Sequence, residues 1–166
     1  MTAIDNHFDL THKLSADDRM DIIETISMVT MYGDTREFEK IPPLFTEDAV
    51  MDYSEVFGEE NSCIPATAFF EDVESFIPGF DSTQHLITNF DIVPVADGTA
   101  KVRSQVRAHH RIGSRDWAIS AMYRHKLRKS HGRWKISEMG VRFLFEDGDR
   151  EELMEEARER VRARAG

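Results

Sequence analysis

The sequence predicts an α+β fold, with helices packed on one face of an antiparallel sheet. Two observations carry that prediction. Helical periodicities crowd into residues 16–78, and four long alternating runs separated by turn residues fill residues 82–145. A third observation, Asp97-Gly98 between two of those runs, is the short-range signature of a hairpin.

At 166 residues the chain is expected to form one domain. A chain of this length buries roughly 70% of its unfolded surface, enough for a core and an enclosed pocket. The net charge of −10 argues against nucleic acid or an anionic membrane as partner. No apolar run reaches the roughly 18 residues of a membrane span. The first ten residues lack the basic and then apolar regions of a signal peptide, so a cytoplasmic setting is expected. Cys63 is the single cysteine, which leaves no disulfide framework or thiolate metal cluster and is read as an inert thiol.

Residues 1–14 are polar and irregular and read as a loose arm. Ser15 and Asp18 have the spacing of a helix N-cap and its third position. Ile22, Ile23, Ile26, Val29 and Thr30 then recur at helical spacing, predicting a helix over 16–31 that Gly33 ends. A second short helix carries Phe38, Ile41, Leu44 and Phe45 on its inner side, with Pro42 and Pro43 disturbing its last turn. Residues 45–48 read as a turn, 49–56 as a strand and 58–62 as a loop. Pro65 begins a third helix that buries Phe69, Phe70, Val73 and Phe76 and stops at Pro78-Gly79.

The four long strands are predicted over 82–95, 99–112, 117–127 and 133–145. A charged helix is predicted over 149–164, its glutamates early and its arginines late, as the helix dipole favours. Its apolar stripe is thin: Leu153, Ala157 and Val161. Two readings stand for it, a solvated helix fraying on its own or a docking element for a sister subunit. The chain therefore divides into an arm (1–14), the main domain (15–147) and a C-terminal helix (148–166).

Side chains alternate across a strand, so the neighbours His109 and His110 part company. His109 joins Arg103, Arg107 and Arg111 toward water, and His110 joins Val102, Val106 and Ala108 inward. Five residues offer proton chemistry near neutral pH: His85, His110, Asp34, Tyr53 and Tyr32. An inward histidine can take and return a proton, a carboxylate on one ring nitrogen fixes its tautomer, and a tyrosine can polarise a carbonyl. Each also has a structural explanation. Asp34 has capping-box spacing to Glu37, His85 alternates with the half-polar Ile87, Asn89 and Asp91, Tyr53 shares a face with Met51 and Phe57, and His110 suits a hydrogen-bonded core histidine.

Several stretches then resemble one family. Gly33-Asp-Thr-Arg-Glu-Phe38, Met51-Asp-Tyr53, Thr83-Gln-His85, Gln105-Val-Arg-Ala-His-His110 and Gly132-Arg-Trp-Lys135 are similar to the SnoaL-like, scytalone dehydratase-like branch of the nuclear transport factor 2-like superfamily. The resemblance covers residues 16–145. It implies a curved antiparallel sheet wrapped by the N-terminal helices into a cone whose open end is the active site. It also implies that Asp34 orients His110 as acid–base, while His85 and Tyr53 hold the leaving group and the substrate oxygen. Tyr32 is implied as a substrate-binding residue, although dehydratases of this branch carry their tyrosine at the place of Gly33. Met122 falls where those enzymes carry a substrate-binding asparagine, which implies a substrate other than scytalone. Arg142 resembles an arginine of bile-acid 7α-dehydratases that would neutralise an anionic group; a rim salt bridge is its other reading.

The expectation that follows is a cofactor-independent dehydratase or isomerase, a lyase-type enzyme, acting on a small hydrophobic cyclic substrate and assembling as a homo-oligomer, dimer or trimer. The alternative is a non-catalytic binding or oligomer-forming subunit resembling the β subunit of ring-hydroxylating dioxygenases. A metal site built from two histidines and a carboxylate ranks last, and no metal is expected.

Overall fold

The computed structural model of the protein describes residues 13–166. The arm expected over 1–14 lies, except for its last two residues, outside the described residues. Helix α1 spans Ala16–Thr35. Ser15 caps it, accepting a hydrogen bond from the Asp18 backbone N–H at 3.0 Å. Gly33 does not end the helix as expected: the chain turns three residues beyond it, at Arg36, which takes the left-handed conformation with φ 65°. Asp34 therefore sits inside the last turn of α1 rather than capping a second helix. The second helix itself is replaced by two 3-10 turns, Phe38–Lys40 and Pro42–Leu44. A proline without an N–H cannot continue an α-helical ladder, and two in succession leave room only for a single tight turn.

Strand β1 covers Phe45–Asp52, followed by the one-turn helix α2 at Ser54–Phe57. A two-residue strand β2, Ile64–Pro65, leads into helix α3, Ala66–Glu74, and a 3-10 turn at Ile77–Gly79. The long strands are β3 (Ser82–Ala96), β4 (Thr99–Ile112), β5 (Arg115–Ser130) and β6 (Arg133–Gly148). They pair antiparallel in sequence order, and Asp97-Gly98 forms the two-residue turn between β3 and β4, with Gly98 at φ 68°. The six strands make one open, curved sheet of order β2-β1-β6-β5-β4-β3. The sheet is antiparallel as expected but for one contact: β1 runs parallel to β6.

Bulges decide which residues face inward. In β3, Asn89 takes φ 57° and inserts one extra residue between the pairs Thr88–Gln105 and Asp91–Arg103. Such an insertion bends the strand and flips the alternation beyond it. Thr83, His85 and Ile87 share one face before the bulge, and Phe90 and Ile92 take it over afterwards.

Helix α1 lies across the concave face, burying Ile22, Ile26 and Val29. It is fastened to the start of β6: Trp134 Nε1 donates to Asp18 at 2.8 Å, and Thr25 Oγ1 donates to the Trp134 carbonyl at 3.2 Å. Helix α4, Arg150–Ala165, does not leave its apolar stripe to solvent. Its thin stripe docks on its own domain, with Leu153 and Ala157 at 1% and 0% exposure. Gly79 makes that approach possible, because a Cβ there would lie 2.0 Å from the Ala157 carbonyl oxygen. Arginines staple the rest: Arg158 to Asp72, Arg160 to Asp81 and Arg150 to the Val56 carbonyl. No helix among the described residues is long and apolar enough to cross a membrane.

Candidate active site

Between the concave sheet face, α1 and the 66–79 segment lies a cavity of about 110 Å³. Apolar cavities of this order, roughly 150 Å³, hold a single small ring. Its walls are aromatic and aliphatic, with Phe57, Phe69, Phe70, Phe76 and Trp117 prominent. Among the described residues, no lysine, arginine, aspartate or glutamate lines it. Its polar groups come from few positions, chiefly His85, His110, Tyr53 and Tyr123.

His85 enters from β3. Its Nδ1 lies 2.8 Å from Asp34 Oδ1, and its backbone N–H donates to Asp34 Oδ2 at 2.7 Å. Thr83, on the same face of β3, donates its hydroxyl proton to Asp34 Oδ1 at 2.8 Å. Burial pushes the Asp34 carboxyl upward, but the bonds from the His85 ring, the His85 backbone and Thr83 together hold it below the ordinary carboxylate range. An ionised Asp34 accepts only, so Nδ1 carries the imidazole proton and Nε2 is left as the basic nitrogen of a ring that lines the cavity.

His110 enters from β4, paired across the ladder with Thr83, and is 3% exposed. It stacks on Trp117 with ring centroids 4.2 Å apart, packs against Phe80 at 5.1 Å and meets His85 edge-on at 5.5 Å. Burial, then the neighbouring His85, lowers its pKa to about 3, so the ring is neutral at physiological pH. Its Nδ1 is buried with no hydrogen-bond partner among the described residues. The expected Asp34–His110 bond is absent: Asp34 binds His85 instead. The reason is positional. The last turn of α1 packs beside β3, and Asp34 uses both carboxylate oxygens on that strand before β4 is reached.

Tyr53 follows β1, where the chain leaves the strand, and its ring lies against Phe69 at 4.3 Å. Its hydroxyl interacts with that of Tyr123 on β5. Burial raises Tyr53 well above the ordinary phenol range and pushes Tyr123 up to about 12, so both remain protonated hydrogen-bond donors.

Three expected substrate-binding residues lie elsewhere. Met122 and Arg142 face each other across β5 and β6 on the outer face, because their neighbours Ala121, Tyr123 and Val141 point inward. Tyr32 packs beside the core with Lys40 Nζ 5.5 Å above its ring and does not line the cavity. Tyr123, one residue from Met122, and Trp117 reach the cavity, and neither was singled out from the sequence. Parity alone carried a signal for them: Trp117, Ile119, Ala121 and Tyr123 alternate inward along β5. Among the described residues, no group of three or more histidines, cysteines or carboxylates gathers as a metal site.

A family model described as a SnoaL-like domain matches residues 15–140. Among solved structures, the chain is similar to a candidate scytalone dehydratase from Novosphingobium aromaticivorans DSM 12444, at 24% identity and TM-score 0.68, covering 80% of this chain and 88% of that one. It is similar to a candidate aromatic ring hydroxylase from Novosphingobium aromaticivorans at 21% identity and TM-score 0.74, covering 85% and 99%. A protein from Nostoc punctiforme with a cystatin-like fold aligns at 20% identity and TM-score 0.64, covering 80% and 96%. At these identities the likeness is one of fold. No curated protein matches the sequence.

Proposed function

The chain belongs to the SnoaL-like family of the nuclear transport factor 2-like superfamily, and we propose that it is a cofactor-independent lyase or isomerase acting on a small, uncharged, largely apolar cyclic compound. The single observation that carries this reading is the Asp34–His85 pair at the wall of a cavity without charged lining. A histidine held by a carboxylate is an oriented base; one held only by backbone would suit a mere binding module.

In this reading His85 Nε2 removes the proton from a carbon next to a substrate carbonyl. The electron pair moves onto the carbonyl oxygen, and of the two bonded hydroxyls Tyr53 donates to Tyr123, which keeps its own proton to donate to the enolate that forms. In a dehydration, the enolate collapses, the bond from the adjacent carbon to its hydroxyl breaks, and the proton on His85 leaves with that hydroxyl as water. In an isomerisation, the same proton returns to a different carbon. His110 stays neutral beside the base and completes the cavity wall with Trp117. The uncharged walls exclude ionic substrates, because a buried charge without a partner costs several kcal/mol.

The experiment is a turnover screen of neutral cyclic hydroxyketones and their carboxylate-bearing analogues with wild type and His85→Ala. Turnover confined to neutral compounds, with a loss on the order of 10²–10⁴ in His85→Ala, is expected. Equal turnover by His85→Ala would remove the base from the scheme.

A further inference from the structure

We propose that Glu146 and Arg150 are positioning residues that set the ring size the cavity accepts, limiting its ligands to a single ring. The inference rests on the reading of the cavity as the substrate pocket, and not on which residue is the base.

Trp117 and the Val56–Phe57 turn are walls of the cavity from two different elements, β5 and α2. Both are tied to one ion pair whose members do not line it. The Trp117 indole is 2% exposed and needs a hydrogen-bond partner, and its N–H donates to Glu146 Oε2 at 3.0 Å. Arg150 Nη1 lies 3.8 Å from the same carboxylate oxygen and donates to the Val56 carbonyl at 2.6 Å. Indole and guanidinium nitrogens can only donate, so the Glu146 carboxylate is the acceptor that both walls share. Helix α2 cannot hold its place unaided. Its single turn, Ser54–Phe57, is too short to be stable alone, and its last carbonyls have no partner within the helix. Arg150 satisfies the carbonyl of Val56, while Glu55 accepts the Phe143 backbone N–H at 3.1 Å. Toward the cavity the side chains of Val56 and Phe57 offer apolar contact, which is not directional. The distance of this wall from Trp117 is therefore set by the bonds behind it.

A second, independent observation concerns the backbone that delivers Arg150. Gly148 stands opposite Trp117 at the end of the β5–β6 ladder, at φ 86°, a conformation that favours glycine. A Cβ there would lie 2.0 Å from the Asp116 carbonyl oxygen, so the turn into α4 is pressed against the strand that carries Trp117. That approach brings Glu146, before the turn, and Arg150, after it, within reach of each other and of both walls.

The test is an NMR titration of the full chain with two neutral ketones, cyclohexanone and the two-ring 1-decalone, for wild type, Arg150→Met, Arg150→Lys and Glu146→Leu. The readout is the ratio of the two affinities, which a general loss of stability leaves unmoved because it weakens both ligands alike. Wild type is expected to favour cyclohexanone by roughly tenfold or more, the scale on which a fitted apolar pocket discriminates by size. Arg150→Met and Glu146→Leu should each narrow that preference to about threefold or less. Arg150→Lys keeps a donor for the Val56 carbonyl and a charge for Glu146, and should keep the wild-type ratio. An unchanged ratio in Arg150→Met, with only a lower melting temperature, would overturn the proposal and leave the ion pair as a surface staple. Glu146→Leu keeps the Arg150–Val56 bond and stands as the test if Arg150→Met does not fold. A wild type that binds neither ketone would sink the reading of the cavity as a substrate pocket, whereas binding with an unmoved ratio sinks only the role of Glu146 and Arg150.

Discussion

Asp34 grips His85 twice, through Oδ1 to the ring Nδ1 at 2.8 Å and through Oδ2 to the backbone N–H at 2.7 Å. The double contact fixes both the ring's tautomer and the strand's position relative to α1. At 16% and 17% side-chain exposure, neither partner is fully withdrawn from water. The pair is therefore a structural clasp whose ring stays within reach of a ligand.

Asp34→Asn tests the two roles together. Turnover on a verified substrate is expected to fall on the order of 10²–10⁴, because a neutral amide neither stabilises the imidazolium nor enforces the tautomer. The stability effect depends on pH with a definite sign. The folded Asp34 carboxyl lies below its ordinary value of 3.8, so its contribution is present above that value and is lost as pH falls through the folded one. The gap in urea midpoint between wild type and Asp34→Asn should therefore be open at pH 7 and close in acid.

The two tyrosines and the two outward residues make a contrasting set. Tyr53→Phe and Tyr123→Phe each remove a protonated donor from the cavity, and a loss of up to roughly 10²–10³ in kcat is expected for the one that meets the developing oxyanion. Met122→Ala and Arg142→Ala lie on the outer face and should leave kcat and KM as they were. A large effect of Arg142→Ala on KM would mean that the substrate reaches beyond the cavity.

His125 is 3% exposed with neither ring nitrogen paired among the described residues, and burial lowers its pKa to about 3. Between 6.5 and that value, the unfolded chain binds a proton that the folded chain refuses, so stability falls as pH drops through the window. The limiting slope is about 1.4 kcal/mol per pH unit for one such group. His125→Leu removes the two unpartnered nitrogens. It should stabilise the protein by about 1 kcal/mol at pH 7 and flatten the acid decline of the urea midpoint. An acid decline as steep as the wild type's would show that another group sets it.

Gly79→Ala probes the docking of α4. The added Cβ would lie 2.0 Å from the Ala157 carbonyl, a backbone atom that cannot rotate away. A loss of about 1–3 kcal/mol is expected in urea unfolding, with α4 displaced from the 77–79 turn. The Phe76 ring at the cavity wall lies beneath Arg158 of the same helix at 4.8 Å, so ligand affinity should weaken as well. Undiminished stability would mean that α4 is held by its arginine contacts alone.

Local patterns gave a correct account wherever the deciding contact was local. The two-residue period of β4 sent His110 inward and His109 outward, at burial patterns that alternate without a break. Asp97-Gly98 marked its turn, and Ser15 marked the start of α1. Errors arose where a local signal had a competitor. Gly33 offered a helix stop, but Arg36 supplies one three residues later through its own side chain. Met122 followed from resemblance and was overruled by strand parity, which puts Tyr123 into the cavity. The C-terminal stripe was too thin to announce a docked helix, because the close approach depends on the absence of a side chain at Gly79, far away in sequence.

The sequence by itself determined the α+β class, the four-strand meander and the inward direction of His110, because each follows from a period of two or 3.6 residues within one element. Which histidine Asp34 would hold was decided only by the tertiary structure. Asp34 and His85 are 51 residues apart, and no periodicity inside α1 or β3 records the position of the other. Their meeting depends on where α1 ends, on how it crosses the curved sheet and on β3 lying at the sheet's edge beneath it. Packing fixed those three conditions together, and with them the choice of His85 over His110.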